Sequence, residues 1–99
     1  MDFSRNAQQI YDRWRGFQPW PGAHTLFRGK KLIAHRLYVT NGRHLPEGMM
    51  LIEGDELFVG CGKGSIVELR EVQIEGKKRM PVSEFLRGYQ VQNGERLGV

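Results

Sequence analysis

The sequence predicts a mostly β domain with one helix at its N-terminus and a short helix near its C-terminus. Five short apolar or alternating segments are separated by glycine-containing turns about every 6–12 residues, which is typical of a small sandwich or barrel. Apolar residues at helical spacing precede these segments, and a short stretch between a proline and a glycine follows them. A closed or nearly closed barrel would also leave few exposed strand edges.

The N-terminal helix is expected over residues 4–16. Its apolar side chains recur at the spacing that builds one helix face, namely Ala7, Ile10, Tyr11 and Trp14. Ser4 is predicted to be the N-cap, and Gly16 is a suitable residue to end the helix. Residues 17–23 contain two prolines around a tryptophan, so an ordered turn anchored by that tryptophan is expected there.

The barrel is expected over residues 23–75. Its strands are predicted at residues 24–27, 31–40, 49–53, 56–61 and 65–75. Imperfect alternation in the second strand assigns Leu32, Ala34, Arg36, Tyr38 and Thr40 to one face, and Ile33, His35, Leu37 and Val39 to the other. A short helix is expected over residues 81–87, with Pro81 near its first position and Gly88 just beyond its last turn.

The length of 99 residues indicates one domain, spanning residues 1–99. The net charge of +4 conceals an asymmetry. Residues 1–44 carry eight lysines and arginines against two aspartates, whereas residues 45–99 carry seven basic and nine acidic residues. Concentrated positive charge attracts a polyanion. A surface that merely keeps the protein dissolved would have a similar composition.

Cys61 is the single cysteine, so the chain forms no internal disulfide and a reducing cytoplasm is the expected compartment. No apolar run approaches the ~20 residues that span a bilayer, and the first residues lack the apolar core of a signal peptide. A cytoplasmic protein that does not partner with a membrane is therefore expected.

Four groups of residues suggest chemistry, and none has the required spacing. Residues 60–65 resemble a phosphate loop but lack its length and are followed by a strand, so a hairpin turn is favoured. The three histidines are too far apart in sequence for a zinc site. Cys61 lies within an apolar strand, where a thiol is inert. Glu53, Asp55 and Glu56 are explained by a solvated turn.

Five segments together resemble the C-terminal domain of bacterial methionyl-tRNA formyltransferases, over essentially the whole chain. The two specific ones are the Pro-Trp-Pro-Gly-Ala turn within residues 15–23 and the Glu-Gly-Lys-Lys-Arg-Met loop at residues 75–80. Residues 2–5, the glycine-rich hairpin at residues 59–64 and the Phe-Leu-Arg-Gly sequence at residues 85–88 follow the same order.

This resemblance implies an OB-like Greek-key β-barrel that is joined by a linker to a Rossmann-type catalytic domain. That other domain would bind 10-formyltetrahydrofolate, carry the catalytic asparagine, histidine and aspartate, and formylate initiator methionyl-tRNA in translation initiation. The resemblance therefore implies no catalytic residue and no cofactor in these 99 residues. The chain is expected to be an excised domain or a standalone relative, whose partners are the tRNA and the catalytic domain.

The resemblance implies a tRNA-binding surface, for which Lys77, Lys78 and Arg79 in the shared basic loop are the first candidates. Arg5 and Arg15, at the helix ends, come next. Lys30, Lys31 and Arg36 are added on local charge alone. Of the aromatic residues, only Tyr38 and Tyr89 stay open as base-stacking positions.

Three other interpretations stay open. The loop could be solvated and partly neutralised by Glu75 and Glu84. The domain could dock on a protein or on its own catalytic domain, with an incidental basic face. It could also be the structural C-terminal domain of a formyltransferase that acts on sugar nucleotides, or of another folate-dependent formyltransferase.

Overall fold

The computed structural model describes residues 1–16, 24–40, 42 and 44–98. Two helices, six strands and one short 3-10 turn follow in chain order: α1 Ala7–Gly16, β1 His24–Phe27, β2 Lys30–Thr40, β3 Met50–Glu53, β4 Glu56–Gly60, the turn Gly62–Gly64, β5 Ile66–Ile74, β6 Met80–Pro81 and α2 Val82–Gly88. The predicted tryptophan turn at residues 17–23 lies outside the described residues.

The strands form one antiparallel sheet in the order β1-β2-β5-β4-β3, with β6 paired to the second half of β5. Three consecutive strands thus run side by side while β2 returns beside β5, which is the Greek-key arrangement. The predicted mostly β class with a helix at each end is confirmed. The glycine-rich turn at residues 62–64 also joins two paired antiparallel strands, as expected.

The two ends of this sheet are joined by the segment at residues 94–98. The amide of Gly98 donates to the carbonyl of Leu26 in β1 at 2.8 Å. On the other side, the amide of Leu97 donates to Gly48 at 2.9 Å, and Met50 donates to Glu95 at 2.8 Å. Because the segment bonds to both β1 and the start of β3, it satisfies backbone groups at the two edges that the sheet would otherwise leave open.

A β-bulge in β2 changes the predicted faces of this strand. The register with β5 shifts on both sides of Arg36, so His35 is an additional residue in β2. Leu37 is consequently buried together with Leu32 and Ala34, although strict alternation assigned it to the opposite face. The same shift turns Arg36 and Tyr38 to the exposed side.

The N-cap prediction for α1 was wrong. The helix begins at Ala7, and its cap is Asn6, whose side-chain oxygen accepts from the Gln9 amide at 2.9 Å. The Gln9 side chain accepts in turn from the Asn6 amide at 3.2 Å, which completes a capping box. Ser4 instead donates to the Asp2 carboxylate through both its amide and its hydroxyl.

The end of α2 also differs from the prediction. Gly88 is the last helical residue rather than the residue beyond the helix. The left-handed position is taken by Gln90, with φ of 48°, and the amide of Val91 then reaches the carbonyl of Leu86 at 3.3 Å. This is the six-to-one bond of a Schellman motif, and the apolar Val91 and Leu86 side chains are both buried.

The predicted apolar face of α1 is confirmed. Ala7 and Ile10 are buried in the core, and Tyr11 and Trp14 pack against it. The Trp14 indole donates to the Ala34 carbonyl at 2.9 Å, which fixes α1 to β2 beside the bulge. Within the described part of the chain, the helices are too short to cross a membrane.

Candidate nucleic-acid interface

The exposed face of β2 and β5 carries two arginines that share one carboxylate. Arg36 of β2 pairs in register with Glu71 of β5. The Nε atom of Arg36 lies 2.5 Å from Oε2 of Glu71, and the Nε atom of Arg79 lies 2.5 Å from Oε1. Hydrogen bonds from Arg79 and then Arg36 hold the pKa of Glu71 below its usual value. Glu71 is therefore ionised at neutral pH, and the three side chains together carry a charge of +1.

A third arginine continues this group along the strands. Tyr38 and Glu68 are register partners on β2 and β5. The Arg70 guanidinium lies 4.4 Å from the centre of the Tyr38 ring, and its Nε atom is 3.2 Å from Glu68. Hydrogen bonding to Tyr38, followed by Glu71, raises the pKa of Arg36. We call Arg36, Tyr38, Glu68, Arg70, Glu71 and Arg79 the arginine network.

The basic loop, residues 75–79, is held against the same two strands. The Gln73 side chain donates to the Lys77 carbonyl at 2.9 Å, and its oxygen lies 2.8 Å from Nε2 of His35. The Glu75 amide donates to the Lys31 carbonyl at 2.9 Å, and the Glu75 carboxylate accepts from the Lys31 amide at 2.8 Å. These bonds bring the start of β2 and the loop after β5 to one end of the sheet.

Six of the eight predicted cations belong to these adjoining regions. Two of them, Arg36 and Arg79, are in the arginine network, and the other four are exposed at the end of the sheet beside it, namely Lys30, Lys31, Lys77 and Lys78. Among the described carboxylates, none forms an ion pair with any of these four lysines. No described carboxylate therefore offsets their charge.

The other two predicted cations lie on the helix side. Arg5 is 3.7 Å from Asp2, and the Arg15 guanidinium lies 5.6 Å from the centre of the Tyr11 ring. Neither takes part in the contacts of the arginine network or of the basic loop. The expectation about neutralising carboxylates also needs changing. Arg79 pairs with Glu71, not with Glu75 or Glu84, and Glu75 binds a backbone amide instead.

Sequence reasoning missed the residues that connect these cations. Arg70, Glu71 and Gln73 were not singled out, because each gains its role from the strand beside it. The available signal was the charge alternation along residues 68–71, which becomes informative only once the pairing with β2 is known.

Tyr38 and Tyr89, the two possible base-stacking positions, differ in their surroundings. Tyr89 is half-buried and packs against Phe27 and Phe85 with ring centres 5.7 and 5.3 Å apart, so its ring covers the core. Tyr38 is 37% exposed, and one of its faces is taken by Arg70. Of these two tyrosines, only Tyr38 therefore stays a candidate for base stacking.

The remaining chemical groups have structural surroundings. Cys61 is buried, as expected, and burial raises the pKa of its thiol to about 11. The histidines lie in three separate places: the backbone carbonyl of His24 accepts from the Met1 amine, the His35 ring contacts Gln73, and the His44 ring lies against Gly64. In the described ranges, His, Cys, Asp and Glu form no group that could hold a metal ion.

The fold and this surface define a small basic Greek-key domain with a cationic sheet face. The family model for the formyl transferase C-terminal domain matches residues 1–90, and the chain belongs to this family. The resemblance predicted from the sequence motifs is thereby confirmed.

Curated relatives extend this likeness. The chain is 50% identical over 99 residues to a methionyl-tRNA formyltransferase of Acidobacterium capsulatum, covering 99% of this chain and 32% of that protein. It is 47% identical to the methionyl-tRNA formyltransferase of Koribacter versatilis and 41% identical to that of Geobacter sulfurreducens, covering 99% of this chain and 31% of each relative. The chain thus spans about a third of the length of these relatives.

Proposed function

We propose that this domain binds initiator methionyl-tRNA and positions it for N-formylation by a separate catalytic domain of a cytoplasmic methionyl-tRNA formyltransferase. The observation that carries the proposal is that the arginine network adjoins four exposed lysines at one end of the sheet, none of which pairs with a described carboxylate. The name of the curated relatives, methionyl-tRNA formyltransferase, indicates which polyanion such a surface would meet.

The chemistry of this surface suits an RNA helix. The major groove of A-form RNA is deep and narrow, so proteins recognise such helices through phosphates, 2′-hydroxyls and shape. Arginine can donate two parallel hydrogen bonds to phosphate oxygens, whereas lysine acts as a mobile point charge. Arginines held by Glu68 and Glu71 beside exposed lysines combine both modes.

In this proposal, 10-formyltetrahydrofolate binds the catalytic domain and not this one. The cleft of about 350 Å³ between β4, β5 and α2 does not suit it. Its lining contains three carboxylates, those of Asp55, Glu56 and Glu68, against one arginine, Arg70, and this net negative charge would disfavour the anionic folate. The domain's own contribution is to hold and orient the RNA.

Affinity for initiator tRNA, measured against salt concentration, tests this function. Log K should fall with log salt by about 0.7–0.9 for each phosphate contact. Absence of measurable binding at about 50 mM salt would contradict an RNA-binding role and favour a docking or structural one.

A double variant tests the location of the site. Lys77→Gln with Lys78→Gln should weaken binding and reduce the salt slope by about 1.4–1.8 while the thermal melt stays unchanged. The matched control, Lys63→Gln with Arg87→Gln, removes the same charge from two exposed positions outside this surface. Equal losses in both double variants would mean that net charge alone governs binding.

A further inference from the structure

Glu71 occupies an unexpected place for an acidic residue, because it stands among the cations that would meet RNA. Both of its carboxylate oxygens are used, one by Arg36 and one by Arg79. Its side chain is 27% exposed, whereas those of Arg36 and Arg79 are 56% and 50% exposed. The carboxylate is therefore recessed beneath two guanidinium groups that face solvent.

The geometry leaves the outer donors of both arginines available. Each guanidinium carries five N–H donors in a planar fork, and the bonds to Glu71 are made by the Nε atoms. The terminal nitrogens are the ones that grip phosphate oxygens in pairs. Glu71 thus holds the two forks through their Nε atoms, one on each oxygen of its carboxylate.

Holding these side chains in place has an energetic value. A free arginine side chain loses rotamer entropy when it is fixed in one position. Residues that are already fixed before binding avoid part of this cost when the ligand arrives. Two arginines that are fixed before binding therefore favour one defined phosphate position, whereas mobile cations would attract the RNA without fixing it.

We propose that Glu71 is a positioning residue that sets Arg36 and Arg79 as a two-armed clamp for one backbone phosphate of the RNA. The inference rests on the proposed function and adds how the site is arranged. It also predicts a change in RNA affinity that is opposite in sign to the change expected from net charge alone. Removing a negative charge should strengthen the binding of a polyanion, whereas removing this carboxylate should weaken it.

The decisive variant is Glu71→Gln, measured in the full 99-residue chain with initiator tRNA as the probe. Glutamine retains one acceptor oxygen and places an amide NH₂ against the second guanidinium. We expect an affinity loss of about fivefold or more, although the net charge rises by one. The control is Glu84→Gln, an exposed carboxylate of α2 with the same charge change, for which affinity should stay equal or rise slightly.

A second pair of variants guards against misfolding of Glu71→Gln. Arg36→Lys and Arg79→Lys preserve both the charge and Glu71 but lose the planar fork. Each should weaken tRNA binding severalfold at an unchanged thermal melt.

The outcomes separate the two proposals. If the wild-type chain does not bind tRNA, both are overturned. If it binds, and Glu71→Gln binds more tightly with a steeper salt slope, as Glu84→Gln would, only the clamp is overturned. Lysine variants that bind like wild type would also overturn the clamp, whereas weaker binding by Glu71→Gln and by both lysine variants supports it.

Discussion

Arg28 and Glu95 form a bidentate ion pair between the β1–β2 turn and the segment that closes the sheet. The Nε and Nη2 atoms of Arg28 lie 2.8 and 2.9 Å from the two carboxylate oxygens of Glu95. Nη1 of the same guanidinium donates to the Tyr89 carbonyl at 3.0 Å. One side chain therefore fixes both the end of α2 and the closing segment at residues 94–98.

Loosening this pair should open the closing segment before the rest of the sheet. Arg28→Lys keeps the charge but loses the parallel hydrogen bonds to Glu95. We expect amide hydrogen exchange at Leu97, Gly98 and Met50 to accelerate about three- to tenfold, because these amides bond between the segment and its neighbours. Exchange in the central β2–β5 ladder should not change. Uniform acceleration across the domain would show that the segment does not open separately.

The same ion pair predicts a pH dependence of stability. The hydrogen bond from Arg28 is the main cause that lowers the pKa of Glu95 from its ordinary value of 4.5. The folded form therefore gains stability above that value, and loses it as the pH falls through the lower folded pKa. Urea unfolding can be measured from pH 7 to pH 3 for wild type and Glu95→Gln. The difference between their free energies of unfolding should stay constant down to about pH 5 and shrink below it. A difference that grows toward low pH would contradict this assignment.

The start of α1 provides a test of its cap. Asn6→Ala removes the acceptor for the Gln9 amide and should lower the free energy of unfolding by about 1 kcal/mol. Ser4→Ala, the sequence-based alternative, should cost less than about 0.5 kcal/mol, because that hydroxyl only donates to an exposed Asp2. Chemical denaturation of both variants decides the matter, and the reverse order of costs would place the cap at Ser4.

Two glycines should respond in opposite directions to alanine. A Cβ atom at Gly62 would lie 2.0 Å from the backbone carbonyl oxygen of Ser4, so Gly62→Ala should destabilise the domain by about 3 kcal/mol or more. Gly88 has open space and ends α2 in a helical conformation, so Gly88→Ala should stabilise it by about 0.5–1 kcal/mol. Thermal melts measure both effects. A tolerated Gly62→Ala would mean that the N-terminal segment does not pack against this turn.

Local patterns predicted much of the architecture. The bounds of β1 agree with the prediction. Both ends of each of the other four predicted strands lie within one residue of the predicted bounds. Turn residues and apolar alternation are short-range signals, and they decide where strands begin and end. The alternation failed at His35, because a bulge depends on the partner strand and not on the residues of β2 alone.

The candidate site was predictable only in part. The basic loop at residues 75–79 was found from its composition and its resemblance to a family motif. Its connection to Arg36 was not, since residues 36 and 79 are far apart in sequence and meet only through Glu71. Pairing of β2 with β5 and of β5 with β6 brings the three side chains together.

The sequence by itself determined the class of the domain, the approximate limits of its strands, its family and the supply of positive charge. These properties follow from composition and from patterns a few residues long. The tertiary structure alone decided which cations share a surface, which carboxylate holds them, and how residues 94–98 close the sheet. Such relationships depend on strand order and register, which are set by the packing of the whole chain around one core.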